Sequence, residues 1–213
     1  MRMFQEEGLY FVTSRCFQGR LLLRPSTEMN EVVGGVLARA VQHSAGTVRL
    51  HAFTFASNHF HLLVWARGAA LASFMQYLRS NLSKKVGRLV DWSGSFWERR
   101  YSAEPVLDDT ALVGRLRYVL AHGVKEGLVE RSVEWPGLTC LPQLLGSARR
   151  VFQWFNVRTM LARCDPPGST GTQSVADATS MPRPQARRAR HARGDDLPDH
   201  LRRGRHELCC VRK

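Results

Sequence analysis

The spacing of apolar positions changes several times along the chain, and each change marks an element. Gly8–Cys16 is aromatic and β-branched with partial alternation, which predicts a first strand. Leu21, Leu22 and Leu23 form a short run that Pro25 ends. Val32, Val33, Val36, Leu37, Ala40 and Val41 then recur at three and four, predicting a helix to about Ser44. Ser26 with Met29, or the better-placed Thr27 with Asn30, is its expected N-cap. Val48–Phe55 returns to a strand pattern, and Ala56-Ser57-Asn58 predicts a tight turn into an antiparallel partner that opens at His59 and that Gly68 closes. Leu71, Phe74, Met75, Leu78, Leu82, Val86 and Leu89 mark a second long helix. After the loop Trp92–Ser95, Phe96–Val106 reads as a fourth strand or an extended arm. Strand, helix, hairpin, helix, strand is the order of an α+β ferredoxin-like sandwich. Such a fold has a four-stranded antiparallel sheet with helices on one face and the other face open for function.

Beyond the sandwich, Asp108 or Asp109 caps a third helix through Leu112, Val113, Leu116, Val119 and Leu120. Leu112, Leu116 and Val119 form its expected core stripe, and Gly123 is its expected C-cap. Ala111, Arg115, Tyr118 and His122 share a second side, so Tyr118 and His122 lie one turn apart. Val124–Val129 begins a further short helix or turn that leads to Trp135-Pro136-Gly137. Arg149–Arg163 holds enough apolar residues to suggest one more helix. From Asp165 the composition turns to Pro, Gly, Ser, Thr and Arg, which buries too little apolar surface to offset ordering entropy. A catalytic-size domain of residues 1–164 followed by a disordered basic tail, residues 165–213, is expected.

Composition sharpens this picture. At 213 residues and 44% apolar content the chain has room for a proper core. It contains no apolar run of membrane-spanning length, and Met1–Glu7 lacks a secretory pattern, so a cytoplasmic protein is expected. Its five cysteines are scattered without C-x-x-C spacing, which argues against a disulfide framework or a structural zinc. The net charge of +13 points to a polyanionic partner. Residues 1–164 hold 21 basic and 12 acidic side chains, so the domain is basic in its own right.

The candidate chemistry sits in Asn58-His59-Phe60-His61-Leu62-Leu63. Alternation along a strand sends His59 and His61 to one face and Phe60 to the other. Two imidazoles converging from a rigid strand are the start of a divalent-metal site, because neutral imidazole ligates well and the strand fixes its direction.

That stretch, with Phe96–Tyr101, Leu116–Val129 and Trp135-Pro136-Gly137, resembles the HUH single-tyrosine transposases, above all the REP-associated tyrosine transposases and their insertion-sequence relatives. Val12–Cys16 and Leu22–Pro25 fit the same pattern, so the resemblance runs from about Gly8 to Gly137. It implies nicking and rejoining of single-stranded or hairpin DNA, and a cytoplasmic, nucleoid-associated protein. Two histidines would hold a divalent ion, Mg²⁺ or Mn²⁺, over the scissile phosphate. A helix tyrosine would attack the phosphorus, leaving a 5′-phosphotyrosine and a free 3′-hydroxyl. Position by position, His59 and His61 match the metal-binding histidines and Tyr118 the nucleophile. Where relatives carry an amide four residues after the tyrosine, this chain has His122. His122 is either a third ligand, which would favour Mn²⁺, or a helix-end residue interacting with the dipole.

For phosphate contacts the candidates are Lys84, Lys85, Arg88, Arg99, Arg100, Arg115 and Arg117, and for base stacking, whichever of Trp97 and Phe60 is exposed. Tyr101, Tyr77 and Tyr10 are weaker rivals to Tyr118. The tyrosine acts within its own chain or across a homodimer. An alternative reading keeps the fold and basic surface as a non-catalytic, decayed or domesticated binder of single-stranded nucleic acid.

Overall fold

A computed structural model describes residues 6–153, and the backbone of residues 205–208. Its core elements follow the expected order: β1 (Glu7–Arg15), α1 (Thr27–His43), β2 (Val48–Phe55), β3 (His59–Arg67), α2 (Ala70–Leu89) and β4 (Ser102–Val106). The sheet order is β2-β3-β1-β4 with antiparallel pairing throughout, a ferredoxin-like α+β sandwich. The first cap is Ser26, whose Oγ accepts the Met29 N–H at 3.0 Å. Ser26 is extended (φ −150°, ψ 169°) while Thr27 already lies in the helix, and only an extended residue can turn its hydroxyl back onto the first turn.

Alternation divides the sheet's two faces. Phe60, Leu62 and Val64 of β3 pair with Ser14, Val12 and Tyr10 of β1, and this face is buried under α1 and α2. The opposite face, with Phe11 and His61, is crossed by α3 (Asp109–Leu120), whose N-cap Asp108 accepts the Ala111 N–H at 2.7 Å. Only Val119 of the expected α3 stripe is fully buried; Leu112 and Leu116 are half-buried, because one helix alone covers this face.

β4 is shorter than the expected Phe96–Val106. The indole Nε1–H of Trp97 donates to the Arg79 carbonyl at 3.1 Å and its ring meets Phe60 edge-on, which holds residues 97–101 toward α2. Gly123 does not end α3. The helix stops at Leu120, Ala121 intervenes, and Gly123 is buried inside the short α4 (His122–Lys125). The left-handed stop falls at Gly127 (φ 68°), where the chain turns back so that the Leu128 N–H donates to Gly123 at 2.9 Å. Residues 138–140 then lie along the β2 edge, Phe55 donating to Leu138 at 2.8 Å and Cys140 to Phe53 at 3.2 Å. A short α5 (Leu141–Leu144) follows.

Arg150–Gln153 forms β5, not the helix expected there, and pairs antiparallel with β6 (Arg205–Leu208). Partnered strand hydrogen bonds outweigh a weak helical pattern. β6 also departs from the expectation of a structureless tail; the remainder of residues 154–213 lies outside the described residues. Among the described residues no helix is long and apolar enough to cross a membrane.

Phe152 of β5 sits over Gly34 of α1, where a built Cβ would overlap its ring. Gly34→Ala is therefore expected to cost about 1–3 kcal/mol in urea unfolding, as overpacking does. In a Phe152→Leu background that cost should shrink; an equal cost in both backgrounds would place its origin elsewhere.

Candidate active site

β3 presents His59 and His61 to the sheet face crossed by α3, and α4 brings His122 to meet them. The three imidazoles are 8%, 4% and 2% exposed, and one ring nitrogen of each lies within 4.8 Å of the others, a group able to hold a metal ion. Supporting contacts fix which nitrogens face inward. The Asn58 amide donates to the Gly19 carbonyl through Nδ2 at 3.2 Å, so its Oδ1 receives the His59 Nδ1–H at 2.6 Å. His59 Nε2 is then a lone pair, and it lies 2.8 Å from His122 Nε2, which must be the donor. His61 Nδ1 is 2.9 Å from Thr13 Oγ1, its cross-strand neighbour.

Among the described residues, His61 Nε2 and His122 Nδ1 are buried without a hydrogen-bond partner. Buried ring nitrogens left unpaired are costly, and a bound cation would engage them. The donor set fits a divalent metal, with imidazole favouring a transition ion over Mg²⁺.

Burial favours the neutral form of all three rings. It pushes His59 down to about 4, with the charges of His122 and Arg15 adding to the effect. The same burial lowers His61 further, helped by His59, His122, Arg15 and Arg115. For His122 burial also lowers the value, opposed by Glu126. The unfolded chain protonates near the ordinary 6.5 while the folded rings resist, so folding stability is full above about pH 6.5 and falls as pH drops toward 4. The urea midpoint of metal-free protein should accordingly decline between about pH 7 and about pH 5; a flat profile would mean the rings are charged or exposed when folded.

Tyr118 stands beside the cluster, half-buried, its ring centroid 5.1 Å from His61 and 5.5 Å from His122. Phe11 abuts it edge-on at 5.7 Å and stacks on His61 at 5.2 Å, so one apolar ring steadies both. The Lys125 ammonium lies 4.4 Å from the Tyr118 centroid. Sequence reasoning passed over Lys125, although seven residues after Tyr118 is close to two helical turns and should have flagged it. Thr13 and the role of Asn58 could not be read without the strand register.

The other candidates divide by layer. Arg115 stacks over Phe11 at 4.7 Å and pairs with Glu104, near the imidazoles, and Arg117 is exposed on the same helix. Lys84, Lys85 and Arg88 belong to α2, on the opposite face of the sheet. Arg99 and Arg100 are exposed, and Arg100 borders a groove of about 690 Å³ with Trp97, Tyr101 and Arg79. Phe60 is fully buried, as strand alternation predicts, because β3 turns it into the helical layer, and it offers no surface for base stacking. Trp97 is half-buried between Phe60 and the Arg79 guanidinium, 5.2 Å from its ring. Tyr101 lines the groove on the α2 side, and Tyr77 is stacked on His43 at 4.6 Å, also in the helical layer. Tyr10 is buried on the face turned to α1 and α2.

No protein-family model matches the chain, and no curated protein matches it. Among solved structures, a REP-associated tyrosine transposase bound to a REP hairpin aligns with a TM-score of 0.56 at 16% identity, over 67% of this chain and 82% of that one. At that identity the likeness is one of fold. A Deinococcus radiodurans R1 protein assigned provisionally as a transposase aligns at a TM-score of 0.40 and 13% identity, over 60% of this chain and 95% of that one, too distant to bear on the fold.

Proposed function

We propose that this chain is an HUH-type tyrosine transposase that nicks and rejoins single-stranded DNA through Tyr118, with a divalent metal held by His59, His61 and His122. The observation that carries the reading is the placement of the Tyr118 ring against two of the three converging imidazoles. The shared fold with a transposase bound to hairpin DNA, the basic domain and the HUH, aromatic-arginine and tyrosine-helix motifs support it.

The residues divide the work. Asn58 and Thr13 hold the β3 imidazoles with their outer nitrogens engaged, leaving His59 Nε2 and His61 Nε2 turned inward. A cation bound there would neutralise charge on the non-bridging phosphate oxygens. Tyr118 Oη forms the new bond to phosphorus while the bond to O3′ breaks; the phenol gives up its proton and the departing O3′ takes one up. Phenol is a weak nucleophile near neutral pH, and the Lys125 ammonium over the face of the ring adds positive charge to the place where it reacts. Attack by a 3′-hydroxyl on the phosphotyrosine reverses the step, so rejoining needs no added energy source.

The test incubates the full chain with labelled hairpin-flanked oligonucleotides and Mn²⁺ or Mg²⁺. A band that survives denaturation and disappears with EDTA is expected. DNA binding without any such band across the panel would favour a non-catalytic binder.

A further inference from the structure

Trp135-Pro136-Gly137 lies where the two sources of imidazole meet. His59 and His61 stand on β3, which has β2 on one side and β1 on the other, so the sheet itself fixes their placement. His122 has no such frame. It opens α4, a single turn of four residues, and a helix shorter than about 12 residues is marginal without packing. Of those four residues only His122 and Gly123 are buried, so what packs on Gly123 decides where His122 stands. Trp135 packs there: its six-membered ring lies 3.1 Å from where a Cβ on Gly123 would stand, and a Val129 methyl lies at the same distance. The nitrogen of the same indole, Nε1–H, donates to the Phe55 carbonyl at 3.1 Å. Phe55 ends β2 and pairs with Phe60, the residue between the two β3 histidines. One rigid ring therefore connects the turn that carries His122 to the part of the sheet that carries His59 and His61.

Two glycines make room for that ring. A Cβ on Gly137 would collide with the indole nitrogen and stand 2.7 Å from the Phe55 carbonyl, while one on Gly123 would press on the six-membered ring. Neither glycine has a positive φ, so both positions require space and not backbone freedom. The chain beyond the indole is tied down as well, since Asn30 Nδ2 donates to the Pro136 carbonyl at 2.8 Å and the Phe55 N–H to the Leu138 carbonyl at 2.8 Å. A metal site tolerates only about 0.5 Å of misplacement in its ligands, and a one-turn helix does not supply that precision alone.

We propose that Trp135 is a positioning residue for the metal site, its indole holding His122 in ligating range of His59 and His61. The inference rests on the reading of the three imidazoles as ligands of one ion.

The test is a double-variant cycle on the full chain, read by titration with Co²⁺, which binds imidazole more tightly than Mn²⁺ does and keeps a two-imidazole site measurable. Trp135→Phe removes the indole donor and part of the ring, and is expected to lower Co²⁺ affinity about tenfold, the size usual for a residue that orients a ligand. In a His122→Ala background the same change should alter affinity less than about twofold, because no third imidazole is left to place. An equal loss in both backgrounds would make Trp135 a general support of the fold and overturn the proposal, as would unchanged affinity in Trp135→Phe. Gly123→Ala is the second probe, in case Trp135→Phe does not fold: alanine suits a helix better than glycine, but its methyl presses on the indole, and affinity should again fall only where His122 is present. Metal-free protein gives an independent readout. The proton shared by His122 Nε2 and His59 Nε2, 2.8 Å apart, should give a slowly exchanging imidazole N–H signal in protein labelled with ¹⁵N-histidine, and Trp135→Phe should lose it. A parent chain that binds no Co²⁺ removes the metal reading itself; the ring-proton signal then decides whether the indole places His122, and its survival in Trp135→Phe shows that it does not.

Discussion

Tyr118→Phe is expected to abolish the covalent protein–DNA product, with adduct formation falling more than about 10³-fold while affinity for single-stranded DNA stays within about twofold. The substitution removes one oxygen and leaves the ring, so the packing against Phe11, His61 and His122 survives. The Lys125 ammonium keeps its place over the ring for the same reason. A structural tyrosine would give the opposite pattern, with stability or binding affected and any adduct retained. Denaturing gels for the adduct and anisotropy for binding separate these outcomes. An adduct that persists in the variant moves the nucleophile elsewhere, with Tyr101 the first alternative to examine.

His61→Ala should have the next largest effect. It removes an inward-facing nitrogen from a site of three and leaves a hole between Thr13 and Phe11, so Mn²⁺ affinity should fall at least about 100-fold and adduct formation with it. His122 offers a finer test. His122→Asn keeps an amide oxygen as a potential ligand and should retain more metal affinity than His122→Ala, with its preference shifted from Mn²⁺ toward Mg²⁺ because oxygen replaces nitrogen. Isothermal titration with each ion reads both effects. Equal affinity in the Asn and Ala variants would show that His122 acts as packing and not as a ligand.

The sandwich was legible because its signals are local. Val32 through Val41 and Leu71 through Leu89 repeat at helical spacing, and the turn at Ala56-Ser57-Asn58 announces the hairpin that sets β2 against β3. The pairing of His59 with His61 followed from strand alternation alone. What escaped depends on contacts distant in sequence. The short β4 results from the Trp97 indole reaching Arg79, and the strand at Arg150–Gln153 from a partner more than fifty residues on. Gly123 looked like a helix stop because glycine commonly is one, yet Trp135 and Val129 pack within 3.1 Å of where its Cβ would stand. In the site, His122 was seen as a neighbour of Tyr118, while its 2.8 Å approach to His59 required the break at Ala121 that starts a new helix. Thr13 became relevant only through the register that sets it across from His61.

The most direct test of the central claim is to map the covalent product. After reaction with a short oligonucleotide, nuclease trimming and proteolysis, mass spectrometry should find the nucleotide 5′-phosphate on Tyr118 in the peptide that leads to His122. The same mass increment on any other residue, or no modified peptide from protein that binds both DNA and Mn²⁺, would contradict the account.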